Sequence, residues 1–216
     1  MASTNIVLKN TTTEAVTVYL TLGSNACNPA ITHWSFIKKI NDLQGSFSLG
    51  VNESKTFDAP DGNCLDGNFA FAVPPNNCPG SDSKAPSGIN LAEFALNITG
   101  DDAQESIDIS NVYGCNSAIS FAMSGGGAWN AGTLHPNITS FSNKGLGQNI
   151  GIIGVYPYGC PYCEQAGGFS PCNPPVDCAP DPIVQQDGAI CQVQRSATQC
   201  GGTVTIHYNG SLVCTS

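Results

Sequence analysis

Eleven cysteines in 216 residues constrain this chain more than any other feature. A reducing cytosol seldom holds so many thiols without metal, whereas oxidising compartments use them as cross-links. Zinc sites of the common kind need paired Cys-x-x-Cys units or nearby histidines. Here only Cys160 and Cys163 have that spacing, and His33, His135 and His207 lie far apart. The expectation is therefore a secreted, disulfide-stapled protein that uses no metal and no cofactor. The odd count requires at least one thiol to be unpaired or bonded elsewhere. Five Asn-x-Ser/Thr sequons, at Asn10, Asn52, Asn97, Asn137 and Asn209, agree with that compartment and are the candidate glycosylation sites. The opening Met1-Ala2-Ser3-Thr4-Asn5 leads straight into a strand-like segment, so the expected form is an extracellular mature chain with its signal peptide removed.

What folds around those cysteines is read from alternation. Val16, Val18, Leu20 and Leu22 fall on one face of a period-two segment, the signature of a half-buried strand. The same pattern marks Asn5–Lys9, Ser46–Leu49, Asn68–Val73, Ser106–Ile109, Ala118–Met123 and Thr203–Tyr208, with Asp61-Gly62, Asp66-Gly67 and Asn209-Gly210 as turns between them. Asn90 to Asn97 has two readings. Asn90 and Glu93 could form a capping box for a short helix, but Ala92, Phe94 and Leu96 also alternate, and the strand is preferred. No sustained helical stripe occurs. The fold class expected is all-β, a sandwich or flattened barrel.

Residues 1–154 are expected to form the main β-domain. From 155 to 195 five of the eleven cysteines sit among prolines, in a stretch too poor in apolar residues to build its own core, and this is read as a small disulfide-rich loop subdomain. Residues 196–216 return a strand to the main domain. Charge excludes some partners: the net charge is −9 with seven Lys plus Arg, so nothing neutralises phosphates and nucleic acid is not expected. No run reaches membrane-spanning length, so no membrane insertion is expected. A monomer is expected.

Two segments resemble thaumatin-like proteins of the pathogenesis-related class: Asn90-Leu91-Ala92-Glu93-Phe94-Ala95-Leu96-Asn97, and Ile107-Asp108-Ile109-Ser110-Asn111-Val112. The family pattern is a Leu-Ala-Glu-Phe strand followed closely by an Asp-Ile-Ser or Asp-Val-Ser strand. An opening strand ending in Lys9-Asn10, a cysteine-dense insertion in the second half and Cys214 after the last strand agree in layout. The chain is similar to a divergent member. Typical members carry more cysteines, and their Trp-Gly-Arg-Thr segment has no counterpart, because Asn68 to Pro74 contains no arginine. The resemblance implies a thaumatin-like sandwich, secretion to the extracellular space or apoplast, a plant-defence role against fungi, and an acidic cleft for β-1,3-glucan. By position, Glu93 and Asp108 match two acids of that cleft, and Glu105 stands three residues ahead of Asp108 where an aspartate is usual.

The residues carry a reading of their own. Glu93, Asp101, Asp102, Glu105 and Asp108 crowd one stretch without a basic residue. If 91–96 and 106–109 are strands, Glu93 and Asp108 point away from the buried side chains onto a polar face. Glu93, Asp102, Glu105 and Asp108 are the candidate substrate-binding residues, and a carbohydrate polymer of the β-1,3-glucan class is the first expected partner. Two rivals remain. In a weak endo-β-1,3-glucanase, Glu93 would be the general acid and Asp108 the base or nucleophile. A non-carbohydrate inhibitor would instead use the acidic face to meet a protein, such as one from a pathogen. Lys38, Lys39 and Arg195 are the candidates for the missing cleft cation. Trp34, Trp129, Tyr156 and Tyr158 could stack on sugar rings. Cys160-Pro161-Tyr162-Cys163 is read as structural, and Ser124 to Trp129, rich in glycine, as a tight turn without the Lys-Ser/Thr ending of a phosphate loop.

Overall fold

The computed structural model describes residues 3–72, 89–110, 116–132, 135–143, 153–156 and 192–211. The strands are β1 Asn5–Asn10, β2 Val16–Leu22, β3 Lys38–Lys39, β4 Gln44–Leu49, β5 Ser54–Phe57, β6 Leu65–Ala72, β7 Leu91–Leu96 and β8 Gln104–Ser110. They continue with β9 Ser117–Ser124, β10 Trp129–Ala131, β11 His135–Ile138, β12 Ser140–Ser142, β13 Val155–Tyr156, β14 Val193–Ser196 and β15 Thr203–Ser211. Among the described residues, helix is confined to two single turns of 3-10 type, Ile31–His33 and Ala197–Gln199. The protein is an all-β sandwich.

One sheet has the order β12-β9-β15-β1-β5, the other β11-β10-β14-β8-β7-β6-β2-β4-β3, with β13 also paired to β8. The inner faces are built by parity. Ile6, Leu8, Phe57, Phe121, Val204 and Ile206 on the small sheet, and Val18, Leu20, Phe69, Phe94, Ile107 and Ile109 on the large one, belong to one buried cluster. Phe57 bridges the layers, its ring 4.8 Å from that of Phe69, which in turn lies 5.1 Å from Phe94. Each fully buried phenyl group contributes about 1.5–3 kcal/mol from apolar area removed from water.

The segment from Asn90 to Asn97 is a strand, as alternation favours. Asn90 does not cap a helix. Its Nδ2 donates to Ser117 O and its Oδ1 accepts from Ser117 N, tying the start of β7 to β9 across the sandwich. Of the three turn pairs, Asp61-Gly62 is a turn, with Gly62 at φ 83°. Asp66-Gly67 lies inside β6, and Asn209-Gly210 inside β15, where the pairing to β9 shifts register between Tyr208 and Ser211. The expected boundaries at 155 and 195 also move. Val155 and Tyr156 pair in parallel with Ile109 and Ser110, Val193 to Ser196 pair with β8 as well, and Val155 and Val193 are fully buried. Both ends of that segment are strands of the large sheet. The residues expected to form the disulfide-rich subdomain, with Cys160, Cys163, Cys172, Cys178, Cys191 and Tyr158, lie outside the described residues.

Among the described residues, Cys27 and Cys64 form a disulfide. Close to it, Asn28 Oδ1 accepts from Asp66 N, and Asn28 Nδ2 donates to Gly23 O and Asp66 O. Disulfide and amide clamp together fix the first residues of β6 against the end of β2.

Candidate acidic cleft

The outer face of the large sheet carries a cleft of about 310 Å³ where β2, β6, β7 and β8 lie side by side. Three carboxylates line it: Asp66 from β6, Glu93 from β7 and Asp108 from β8. Glu93 stands directly opposite Asp108 in the β7–β8 register and opposite Asn68 in the β6–β7 register, so strand alternation alone brings these side chains together. Thr21, Ser106 and Gln192 complete the polar lining. No lysine, arginine or histidine is among the described residues that line it.

Two carboxyl groups this close in a half-dry cleft cannot both ionise. Burial is the largest influence on Asp108, followed by the Glu93 charge and by a hydrogen bond to Glu93, and all three push its carboxyl well above the usual range. Burial also raises Glu93, with a smaller push from Asp66, while hydrogen bonds from Asp108 and Ser110 pull it back. Both carboxyls are thus held above the usual range, by burial first, then by the Glu93 charge at Asp108 and by Asp66 at Glu93. Burial raises Asp66 too.

Asp66 was not among the residues expected here. The Asp-Gly pair reads as a turn, but Gly67 is required for a different reason: a Cβ there would collide with the Thr21 carbonyl of the neighbouring strand. Gly23 makes room in the same way, since its Cβ would stand 2.5 Å from Asp66 Oδ2. Only Gly67 adjoins Asp66 in the chain; Gly23 meets it through the fold, so no local pattern marks Asp66 as a cleft residue.

Glu105 is a correction. It lies an odd number of residues from Asp108 and so points through the sheet with Ile107 and Ile109, where it is fully buried. Arg195, opposite it on β14, donates from Nε to Glu105 Oε2 at 2.7 Å. Asn97 N donates to Oε1 at 2.8 Å, and Thr4 Oγ1 reaches both oxygens. Arg195 spends its remaining donors on Thr4 Oγ1 and on the carbonyls of Gly125, Gly127 and Gly201, with its guanidinium 4.3 Å from the Trp129 ring centre. The glycine-rich loop is thus a cradle for a guanidinium: a Cβ on Gly126, at φ 69°, would strike Arg195 Nη1. Arg195 does not serve the cleft. Nor do Lys38 and Lys39, which lie on the β3 edge strand, with Lys39 paired to Asp42.

Asp102 is also displaced. It sits at φ 59° in the β7–β8 turn, lining a separate open groove of about 530 Å³ with Asp61, Asn63, Thr99 and Thr198. Trp34 and Trp129 are buried and offer no face to a sugar. Among the sequons, Asn52 and Asn137 are exposed. Asn97 Nδ2 donates to Thr4 O and Asn209 Nδ2 to Ser120 Oγ. Asn10 is a correction: it is fully buried and its Nδ2, the atom a glycan would need, donates to the carbonyls of Glu14, Leu49 and Gly50.

Chemically the cleft is a bed of acceptors with one shared proton. Glycosidic cleavage by Glu93 and Asp108 as acid and nucleophile needs the carboxyl groups about 5 Å or more apart. A pair in hydrogen-bond contact leaves no place between them for the anomeric carbon. No protein-family model matches the chain, and no curated protein sequence matches it either.

Proposed function

We propose that this is a secreted defence protein that binds a cell-wall polysaccharide through the Asp66–Glu93–Asp108 cleft. The observation that carries the reading is the cross-strand Glu93–Asp108 pair. It raises both acids in a cleft on the outer face of the large sheet. Two buried acids with no cation beside them among the described residues cost stability, and a role in recognition is what such a cost supports. Sugar hydroxyls donate to carboxylates and amide oxygens and accept from Thr, Ser and Gln groups, which is the mixture found at Thr21, Ser106, Gln192, Asn68 and the three acids. The resemblance to thaumatin-like proteins supplies the rest: secretion, defence and β-1,3-glucan as the polymer class.

Retention on insoluble β-1,3-glucan tests the reading. The protein should be retained, and Glu93→Gln or Asp66→Asn should lose most of that retention while remaining folded by circular dichroism. Failure of the unaltered protein to bind insoluble glucan or any other cell-wall polysaccharide would remove it.

A further inference from the structure

We propose that the sugar seated in this cleft carries a protonated amine, so that the preferred ligand is a glucosamine-type polymer and the neutral glucan is the weaker one. The inference rests on the carbohydrate reading and narrows it. It begins with an atom the cleft leaves over. Asn68 is only 7% exposed, lies on the face of β6 that carries Asp66, and stands opposite Glu93; among the described residues its Oδ1 receives no hydrogen bond. An unmade bond to a buried acceptor costs about 1–3 kcal/mol, a cost that a donor brought by a ligand would remove.

The surroundings decide which donor. Asp66 and Glu93 add acceptor oxygens beside Asn68, and the one proton between Glu93 and Asp108 is already used. A hydroxyl brings one donor and two lone pairs, and the lone pairs would face carboxylates. An ammonium brings three donors, no lone pair and a positive charge. Among the described residues no cation lines the cleft: Arg195 is held by Glu105 on the opposite face of the sheet, and Lys39 by Asp42 at its edge. Thr21, Ser106 and Gln192 then meet the neutral hydroxyls of the same sugar.

Calorimetric titration of the full chain at low ionic strength separates the possibilities. The probes are a β-1,4-linked glucosamine hexamer, its N-acetylated counterpart, a β-1,3-glucan hexamer and an oligolysine peptide. The glucosamine hexamer should bind at least about tenfold more tightly than the N-acetylated form and the glucan, and added salt should erode that advantage. Asp66→Asn and Asn68→Ala should each abolish most of the preference, while Asp42→Asn, at the far edge of the sheet, should leave it intact. Asn68→Ala removes an acceptor that the described structure leaves unpaired, so it keeps the test open if a carboxylate variant fails to fold. Equal or tighter binding of the glucan overturns the amine and leaves the carbohydrate reading standing. Binding of oligolysine in preference to every saccharide overturns both, as does binding of none of the probes. Glucosamine binding that survives both cleft substitutions belongs to the diffuse negative surface and overturns the proposal.

Discussion

Glu105 and Asp108 occupy the same strand, yet one is neutralised on every side and the other competes with a second acid for a single proton. Glu105 meets Arg195, Thr4 and the Asn97 amide inside the sandwich, whereas Asp108 faces Glu93 in a cleft that has no cation among the described residues. The difference is one of parity. Odd positions of β8 enter the core and even ones leave it, so neighbours in sequence become inhabitants of opposite faces. Buried charge is tolerated inside because it is fully paired. Outside, incomplete pairing keeps acceptor capacity available to a ligand.

The comparison can be broken most forcefully at the paired site. Glu105→Gln leaves the Arg195 charge buried without its counter-charge and should cost about 3–5 kcal/mol, read as a lower denaturant midpoint; a loss similar to that of Glu93→Gln would erase the distinction between the two acids. Next in size is the disulfide that anchors the cleft wall. Replacing both Cys27 and Cys64 by serine should cost about 2–4 kcal/mol. If the disulfide and Asn28 together hold Asp66 in place, the same variant should weaken polysaccharide retention, and undiminished retention at full occupancy would show that the wall stands without it.

The smallest effect has the opposite sign. Because Asp108 is raised in the folded state, that state keeps a proton that the unfolded chain releases near the ordinary carboxylate value. Its contribution is therefore present at acid pH and is lost as pH rises through the elevated value. Asp108→Asn cannot ionise and still offers Glu93 a donor. Its melting temperature should equal or exceed that of the unaltered protein at neutral pH, with the gap closing toward about pH 4. A variant that is less stable at neutral pH would mean that Asp108 is paired as well as Glu105 is.

Much of this was legible in the letters. Val16–Leu22 and Leu91–Leu96 coincide with strands because their apolar side chains alternate with period two, which in the second case outweighs the capping-box alternative. Glu93 and Asp108 were found by the same parity. Glu105 was grouped with them by proximity along the chain, which a pleated strand does not respect. Asp66 was hidden by Gly67, whose lack of a side chain serves a close strand contact and mimics a turn. Arg195 was read as lying within a separate subdomain, although Val193 two residues before it is fully buried in the main core. The pairing of β14 with β8 across about ninety residues leaves no trace in local pattern.

The position of β1 has a consequence for how the molecule is made. It lies between β5 and β15, in parallel register from Asn5 opposite Thr203 to Asn10 opposite Tyr208. During vectorial synthesis β1 must therefore wait for β15, about two hundred residues later in the chain, before its second edge is covered. Glu105 likewise waits for Arg195 to neutralise it. Pairings of such sequence separation are slow to form and leave strand edges open meanwhile. Closing the small sheet and neutralising the buried acid thus both depend on the segment from Val193 to Ser211 reaching strands made long before it.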